Sequence, residues 1–294
     1  MLVQPVSVRA ERQVTRLTKD YYPEIVAAHK QNMILSAQPM GVENARYGEN
    51  TLLSFVIDFG KIKGLLPVHE VGVPVYPVYR SGEAVSEEGD LWSFLALGKK
   101  DKKIIERRMI RIMQSGCPLS FTIMTFDGEV AILSRRAALE RLKERVRLEE
   151  GQRIHVTVIL TTSRGAWCDY QGINVYIPRH EVFWGDVSPG EVLELGNTYE
   201  AVVKGVDDLV RASIKDLEAD PWETFDSRPG SVLRAVIKEP VTSAENRFRV
   251  TFKPGVNGVA QGAPLSRYYI GQSVNVRIIK VIPERRFILG RIEE

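Results

Sequence analysis

The chain has 294 residues, long for one core and comfortable for two or three modules of about 100 to 150 residues each. Hydrophobic residues make up 44%, charged residues 26% and aromatics 8%, a balance that excludes a disordered or collagen-like chain. With 40 Lys and Arg against 37 Asp and Glu the net charge is only +3, too small to name a polyanionic partner, so the distribution of charge has to decide.

In chain order, residues 1–31 read as a lead-in that ends in a helix around DYYPEIVAAHK. Pro23 suits its first turn and Asp20 its N-terminal end. Short strand-like runs follow as MILSAQP, TLLSFVIDF, IKGLLPV, SFTIMTF and EVAILSR, enough for one small five-stranded barrel over 32–136. That module is interrupted by a long insertion at about 72–116, too long for an ordinary connection and therefore expected to be functional or ordered in its own right. Within it GKKDKKIIERRMIRIM has helical spacing, with Ile104, Ile105, Arg108 and Met109 around a partly apolar face and several bases left in solvent.

Residues 137–150 read as a charged linker helix, with Ala138, Leu139, Leu142, Val146 and Leu148 as its stripe and Gly151 as its stop. A second set of five strands occupies 151–218, the turn-rich DPWETFDSRPG closes it, and a third set occupies 228–294. An internal repeat supports this division. Asp58, Phe59, Pro67, His69 and Glu70 stand 111 positions before Asp169, Tyr170, Pro178, His180 and Glu181, a single register without gaps. The third module keeps only the outline, in Gly255, Val256, Gly258 and Val259.

Two stretches carry a family resemblance. GQRIHVTVILTTSRGAWCDYQGINVYIPRHEV resembles the opening of the S1 domain: a Gly-led first strand, a Gly-Ala-aromatic step, an Asp, and a Gly turn into a strand that ends Pro-x-x-Glu. AILSRRAALERL resembles the family's closing strand, Leu-Ser-Arg, and the helix that joins one repeat to the next. The chain is thus similar to the ribosomal protein S1 family. That resemblance implies a mostly β fold of three tandem five-stranded OB-fold (S1-like) barrels, with the helical lead-in, the linker helix and an insertion in the first barrel. It also implies RNA binding connected with translation, and it departs from the family pattern in the length of the insertion and in eroded aromatic positions.

Such barrels hold single strands by stacking bases on aromatics while Lys and Arg track the phosphates. Alternation places Trp167 on the face opposite Tyr170, so Trp167 is expected to be partly exposed and to be the leading stacking residue. Tyr176 and His180 join it, with Arg153, Arg164, Arg179, Lys204 and Arg211 as the basic surround. The first module contributes Lys61, Lys63 and His69, and the third Lys238, Arg249, Lys253 and Arg286 from its basic strands.

No catalytic residues are expected. The four histidines are dispersed, His69 and His180 are repeat equivalents, and no phosphate-binding loop or H-E-x-x-H motif occurs. Cys117 and Cys168 lack the paired spacing of a zinc site, so no metal or cofactor is expected and a reducing cytoplasm is. The opening MLVQPVSVRAERQVTR carries charges where a signal peptide needs an apolar core, and no run of about 18 apolar residues occurs, so no membrane partner is expected. The expected function is non-enzymatic binding of single-stranded RNA, on or near the ribosome. The alternatives are an adaptor whose degenerate barrels bind proteins in a larger machine, and a single-stranded DNA-binding protein of a phage or mobile element.

Overall fold

A computed structural model of the chain describes residues 21–73, 75, 91–185, 187–241 and 246–293. Residues 1–20 of the expected lead-in, Asp20 included, and residues 76–90 of the insertion lie outside the described residues. Helix α1 (Tyr22–Lys30) forms where the sequence places it, with Pro23 in its first turn and Ile25 and Ala28 buried.

The first module contains β1 (Leu35–Ala37), β2 (Gly41–Tyr47), β3 (Asn50–Phe59), β4 (Ile62–Pro67), β5 (Leu119–Phe126) and β6 (Val130–Ser134). They form a six-stranded sheet in the order β1-β5-β6-β4-β3-β2, not the closed five-stranded barrel expected of this module. The reason lies at Pro39. The expected first strand MILSAQP forms only as β1, and β2 is a strand beyond those expected; a residue without an N–H cannot carry a ladder through, so Pro39 separates β1, which pairs with β5, from β2, which pairs with β3. Residues 38–40 join the two strands, and Met40 N–H donates to the Val56 carbonyl at 2.8 Å.

The second set consists of β7 (Arg153–Thr161), β8 (Gly165–Tyr170), β9 (Ile173–Pro178), β10 (Thr198–Val206) and β11 (Val210–Ser213). Here the barrel is closed, in the order β10-β11-β9-β8-β7. An unbroken β7 makes closure possible, since its first half pairs with β10 and its second with β8. The third set, β12 (Val232–Pro240), β13 (Arg247–Lys253), β14 (Val256–Gln261), β15 (Ser273–Ile282) and β16 (Phe287–Glu293), is also a closed barrel, ordered β12-β13-β14-β16-β15. In each of the three sets the third and fifth strands of the repeat pair in parallel. The connectivity therefore persists in the third module after its sequence has diverged.

The chain divides into two compact units, one of Met1–Pro178 with Pro189–Ala212 and one of Arg179–Ser188 with Ser213–Glu294. The first unit also holds the insertion helices α2 (Leu91–Ala96) and α3 (Lys99–Gln114) and the connecting helix α4 (Arg135–Arg145). Ser134 caps α4, its Oγ accepting from Ala137 N–H at 3.1 Å. On α3 the buried residues are Ile105, Met109 and Ile112, whereas Ile104, expected on the apolar face, is 36% exposed. One apolar cluster runs through this unit, joining Phe55, Phe94, Ile105, Met109, Ile112 and Phe121 to Ile159, Leu160 and Trp167 of the second barrel.

Arg135, the Arg of the Leu-Ser-Arg sequence, is wholly buried. Its guanidinium donates to Asn174 Oδ1 at 2.7 Å and Asp169 Oδ1 at 3.3 Å, and Asn174 Nδ2 in turn donates to the Gly72 carbonyl at 2.5 Å. Burial pushes the Asp169 carboxyl upward from its ordinary range, and the neighbouring guanidinium opposes that shift. A buried pair adds little net stability against an apolar substitute, but removing one partner strands a charge in a dry site. Arg135→Ala is therefore expected to lower the unfolding free energy by about 3–5 kcal/mol, measured by urea titration of the full chain; a loss within experimental error would show that the pair is not the tie described.

Candidate nucleic-acid interface

OB folds hold oligonucleotides on the face of their second and third strands. In the second barrel this face is β8 and β9, and Trp167 does lie on the side opposite the barrel-interior Cys168. It is nevertheless only 8% exposed, which corrects the expectation of a partly exposed residue. Its ring packs on Tyr176 with centroids 4.8 Å apart, and it shares the apolar cluster with the buried residues of α3. That helix packs on β7, where Arg111 donates to Thr161 O at 3.3 Å and Thr161 Oγ1 at 2.8 Å. Arg108 donates to Val75 O at 3.0 Å, and its guanidinium is disfavoured first by burial and then by Arg111 and Arg164. At the other end of the face Arg135 occupies Asp169 and Asn174. The second barrel's nucleic-acid face is thus covered by the first module of its own chain, and α3 is a packed helix rather than a solvated one.

The corresponding face of the third barrel, β13 and β14, lines a groove of about 820 Å³ within the C-terminal unit. Strand alternation builds it: Phe248 and Val250 turn into the barrel while Arg247 and Arg249 turn outward. Lys238, Arg249 and Lys253 line the groove together with Thr251, Asn257, Val259 and, from the segment after the His180-Glu181 turn, Phe183 and Trp184. Trp184 fixes that wall. Its Nε1 donates to Lys215 O at 3.1 Å, and the cations of Lys215 and Arg286 stand 5.0 and 5.2 Å from its ring centre. Gly255 at the hairpin tip has φ +80, and a Cβ there would lie 2.6 Å from Pro221 Cγ and 2.8 Å from Trp184 Cβ, so only glycine lets the tip seat against them. Beside Trp184 the half-buried aromatics of the groove are Phe183, Phe252 and Phe287, of which Phe252 packs on Phe225.

The cations of the groove are held only loosely. Arg249 pairs with Glu239 at 3.0 Å, both side chains more than half exposed, a surface bridge worth little in water. Lys253 donates to Thr224 Oγ1 at 3.1 Å and sits 5.5 Å from the centre of the Phe225 ring. An arriving phosphate can replace either partner at small cost.

Of the residues singled out from sequence, the groove brings together Lys238, Arg249 and Lys253. Arg286 belongs to the same unit but pairs with Asp220 behind Trp184. His180 and Arg179 are exposed in that unit, and His180 Nε2 lies 3.5 Å from Glu181. The His-Glu repeat is structural at its Glu: the Glu70 carboxylate accepts from Ser134 Oγ, and Glu181 pairs with Lys215 at 3.4 Å. His69 is half-buried beside Glu70. In the first unit Lys63 pairs with Glu43 at 2.7 Å, Arg153 with Glu200 at 3.5 Å and Arg211 with Asp207, while Lys61, Arg164 and Lys204 are exposed. Phe183 and Trp184 were missed as site residues. Their signal was the aromatic pair after His-Glu, which strand periodicity does not interpret.

The family model described as S1 RNA binding domain matches residues 147–215, the stretch that contains β7 to β11. The chain carries an S1 RNA-binding domain. Among curated proteins the chain is similar to the 4-hydroxy-3-methylbut-2-enyl diphosphate reductase of Clostridium acetobutylicum, 28% identical over 184 residues, 55% of this chain and 28% of that protein. It is also similar to the small ribosomal subunit protein bS1 of Mycobacterium leprae, 26% identical over 208 residues, 63% of this chain and 43% of that protein. The chain spans less than half the length of either relative. Among solved structures, GSP13 from Bacillus subtilis matches at 25% identity over 28% of this chain and 67% of its own, with a TM-score of 0.24. The likeness to ribosomal protein S1 read from the second module stands, and the S1 domain's Gly-Ala-Trp step is the one α3 covers.

Trp167 is accordingly a packing residue. Trp167→Ala is expected to destabilise the fold by about 3–5 kcal/mol, and the Trp167 contribution to fluorescence, isolated by mutating the other tryptophans, is expected to stay unchanged on adding oligonucleotide. Quenching of that emission by RNA in the folded protein would show the face to be open.

Proposed function

We propose that the chain is a non-enzymatic, cytoplasmic protein that holds single-stranded RNA in the groove of its third barrel and acts in translation or on messenger RNA. The observation that carries this reading is a basic-rimmed, aromatic-walled groove on the face where OB folds take oligonucleotides. The S1 domain and the likeness to ribosomal protein bS1 support RNA over DNA as the strand. Phe183 stacks a base, while Lys238, Arg249 and Lys253 meet phosphates. Because these contacts reach backbone and base faces rather than base edges, binding is expected to discriminate little between sequences.

No helix among the described residues is long and apolar enough to cross a membrane. The adaptor reading has one observation in its favour, the second barrel, whose face binds protein, but that protein is the chain's own first module.

Fluorescence anisotropy with labelled single-stranded RNA, single-stranded DNA and duplex at several salt concentrations tests the reading. Arg249→Ala with Lys253→Ala is expected to weaken all single strands alike and to flatten the slope of log affinity on log salt by about 1.4, or about 0.7 per lost phosphate contact. Phe183→Ala is expected to cost about 1–3 kcal/mol of binding at unchanged slope. Unaltered affinity and slope in both variants would remove the groove as the RNA site.

A further inference from the structure

The groove and the S1 domain leave one strongly charged surface unused, on the insertion helix α3. At about 100° per residue, Ile105, Met109 and Ile112 form the buried side of this helix, and the opposite side carries Lys99, Lys100, Lys103 and Arg107, all exposed. Arg111 continues the row where it bonds to Thr161. From Lys99 to Arg111 the row runs about 18 Å along the axis. The acids of the helix stand off it: Asp101 falls toward the buried side and Glu106 on the flank. Lys99, Lys100, Lys103 and Arg107 form no ion pair among the described residues, although i,i+4 pairing with an acid is how exposed helices ordinarily use such charges.

Folding does not explain the row. Lysines in the first turns oppose the helix dipole, which favours acids at that end, and only Asp101 stands there. Nor does the packing of α3 need Lys99, Lys100, Lys103 or Arg107, since that contact is made by the apolar side with Arg108 on Val75 and Arg111 on Thr161. A concentration of cations that costs the helix stability, on an element laid over the nucleic-acid face of an S1 domain, calls for an anionic partner.

We infer that α3 is a second RNA-contacting surface, on which Lys99, Lys103 and Arg107, with Lys100 beside them, bind the phosphates of a single strand. The insertion then exchanges one mode of binding for another: its apolar side takes up the Trp167-Tyr176 stacking face, and its outer side offers a row of charges in place of that face. Arg164 at the edge of β8, close enough to disfavour the Arg108 guanidinium, extends the same positive field. This rests on the RNA-binding reading but uses residues outside both the groove and the matched S1 segment.

The experiment is an anisotropy titration of the full chain with a labelled single-stranded RNA over a range of salt, comparing wild type with Lys99→Gln, Lys103→Gln and Arg107→Gln combined. All three side chains are exposed and their charges do not stabilise the helix, so the melting temperature is expected to hold or to rise slightly. Loss of three phosphate contacts is expected to flatten the log–log salt slope by about 2 and to weaken binding by about 100-fold at about 0.1 M salt. Should the triple variant keep wild-type affinity and slope while the Arg249 and Lys253 variant loses both, the inference fails and the groove reading survives. Absence of RNA binding by the wild type would overturn both. If polyglutamate binds the wild type as tightly as RNA and the triple variant loses both ligands equally, the helix is a general acidic-partner surface and the RNA assignment fails.

Discussion

A guanidinium taken wholly out of water has to find its hydrogen bonds within the protein, and the way Arg135 finds them organises the N-terminal unit. It follows directly on β6 of the first module, yet its partners, Asp169 and Asn174, belong to the second barrel. The Asn174 amide then reaches back to Gly72, where the insertion begins. Once this chain of bonds forms, the first module is fixed against the β8–β9 face, and α3 is brought over Trp167. An interaction of this kind contributes specificity of arrangement more than net stability. The face it engages is the one on which OB folds hold oligonucleotides.

The three modules therefore use one connectivity in different ways. The first is opened at Pro39 and enlarged by helices, the second is closed but covered, and the third is closed with its strand-two and strand-three face lining a groove. The third module has neither the His-Glu pair nor the Gly-Ala-Trp step, and its β13 carries Arg247, Arg249 and Lys253 about an interior of Phe248 and Val250. The Phe183-Trp184 segment, which follows the second module's His-Glu turn, completes the groove wall, so the site is assembled from two repeats within one compact unit.

Much of this was legible in the sequence because it is local. Period-two alternation marked the strands of both closed barrels, Pro23 marked the start of α1, and the 111-residue register marked Glu70 and Glu181 as equivalent positions, although their carboxylates have different partners, Ser134 and Lys215. The outward direction of Trp167 was also correct. What covers it was not readable, since the covering residues lie on α3, far away in sequence, and burial on the outer face of a strand depends on a neighbour that periodicity cannot supply. The same holds for Arg135: its motif marked the end of a strand and the start of a helix, but a buried role depends on Asp169 and Asn174 meeting it in space. Pro39 was visible at the end of the expected first strand, but β2 beyond it was not read as a strand. Phe183 and Trp184 obey no strand or helix period, and their use became apparent only with the groove.

The central claim, that RNA meets the third barrel while the S1 face of the second is covered by the chain itself, is tested most directly by hydrogen–deuterium exchange of the full chain with and without single-stranded RNA. Amides of residues 165–178 are expected to be protected in the free protein and unchanged on binding, while residues 183–185 and 247–261 gain protection. Rapid exchange over 165–178 in the free protein, with protection appearing there and not over 247–261 when RNA is added, would contradict the account.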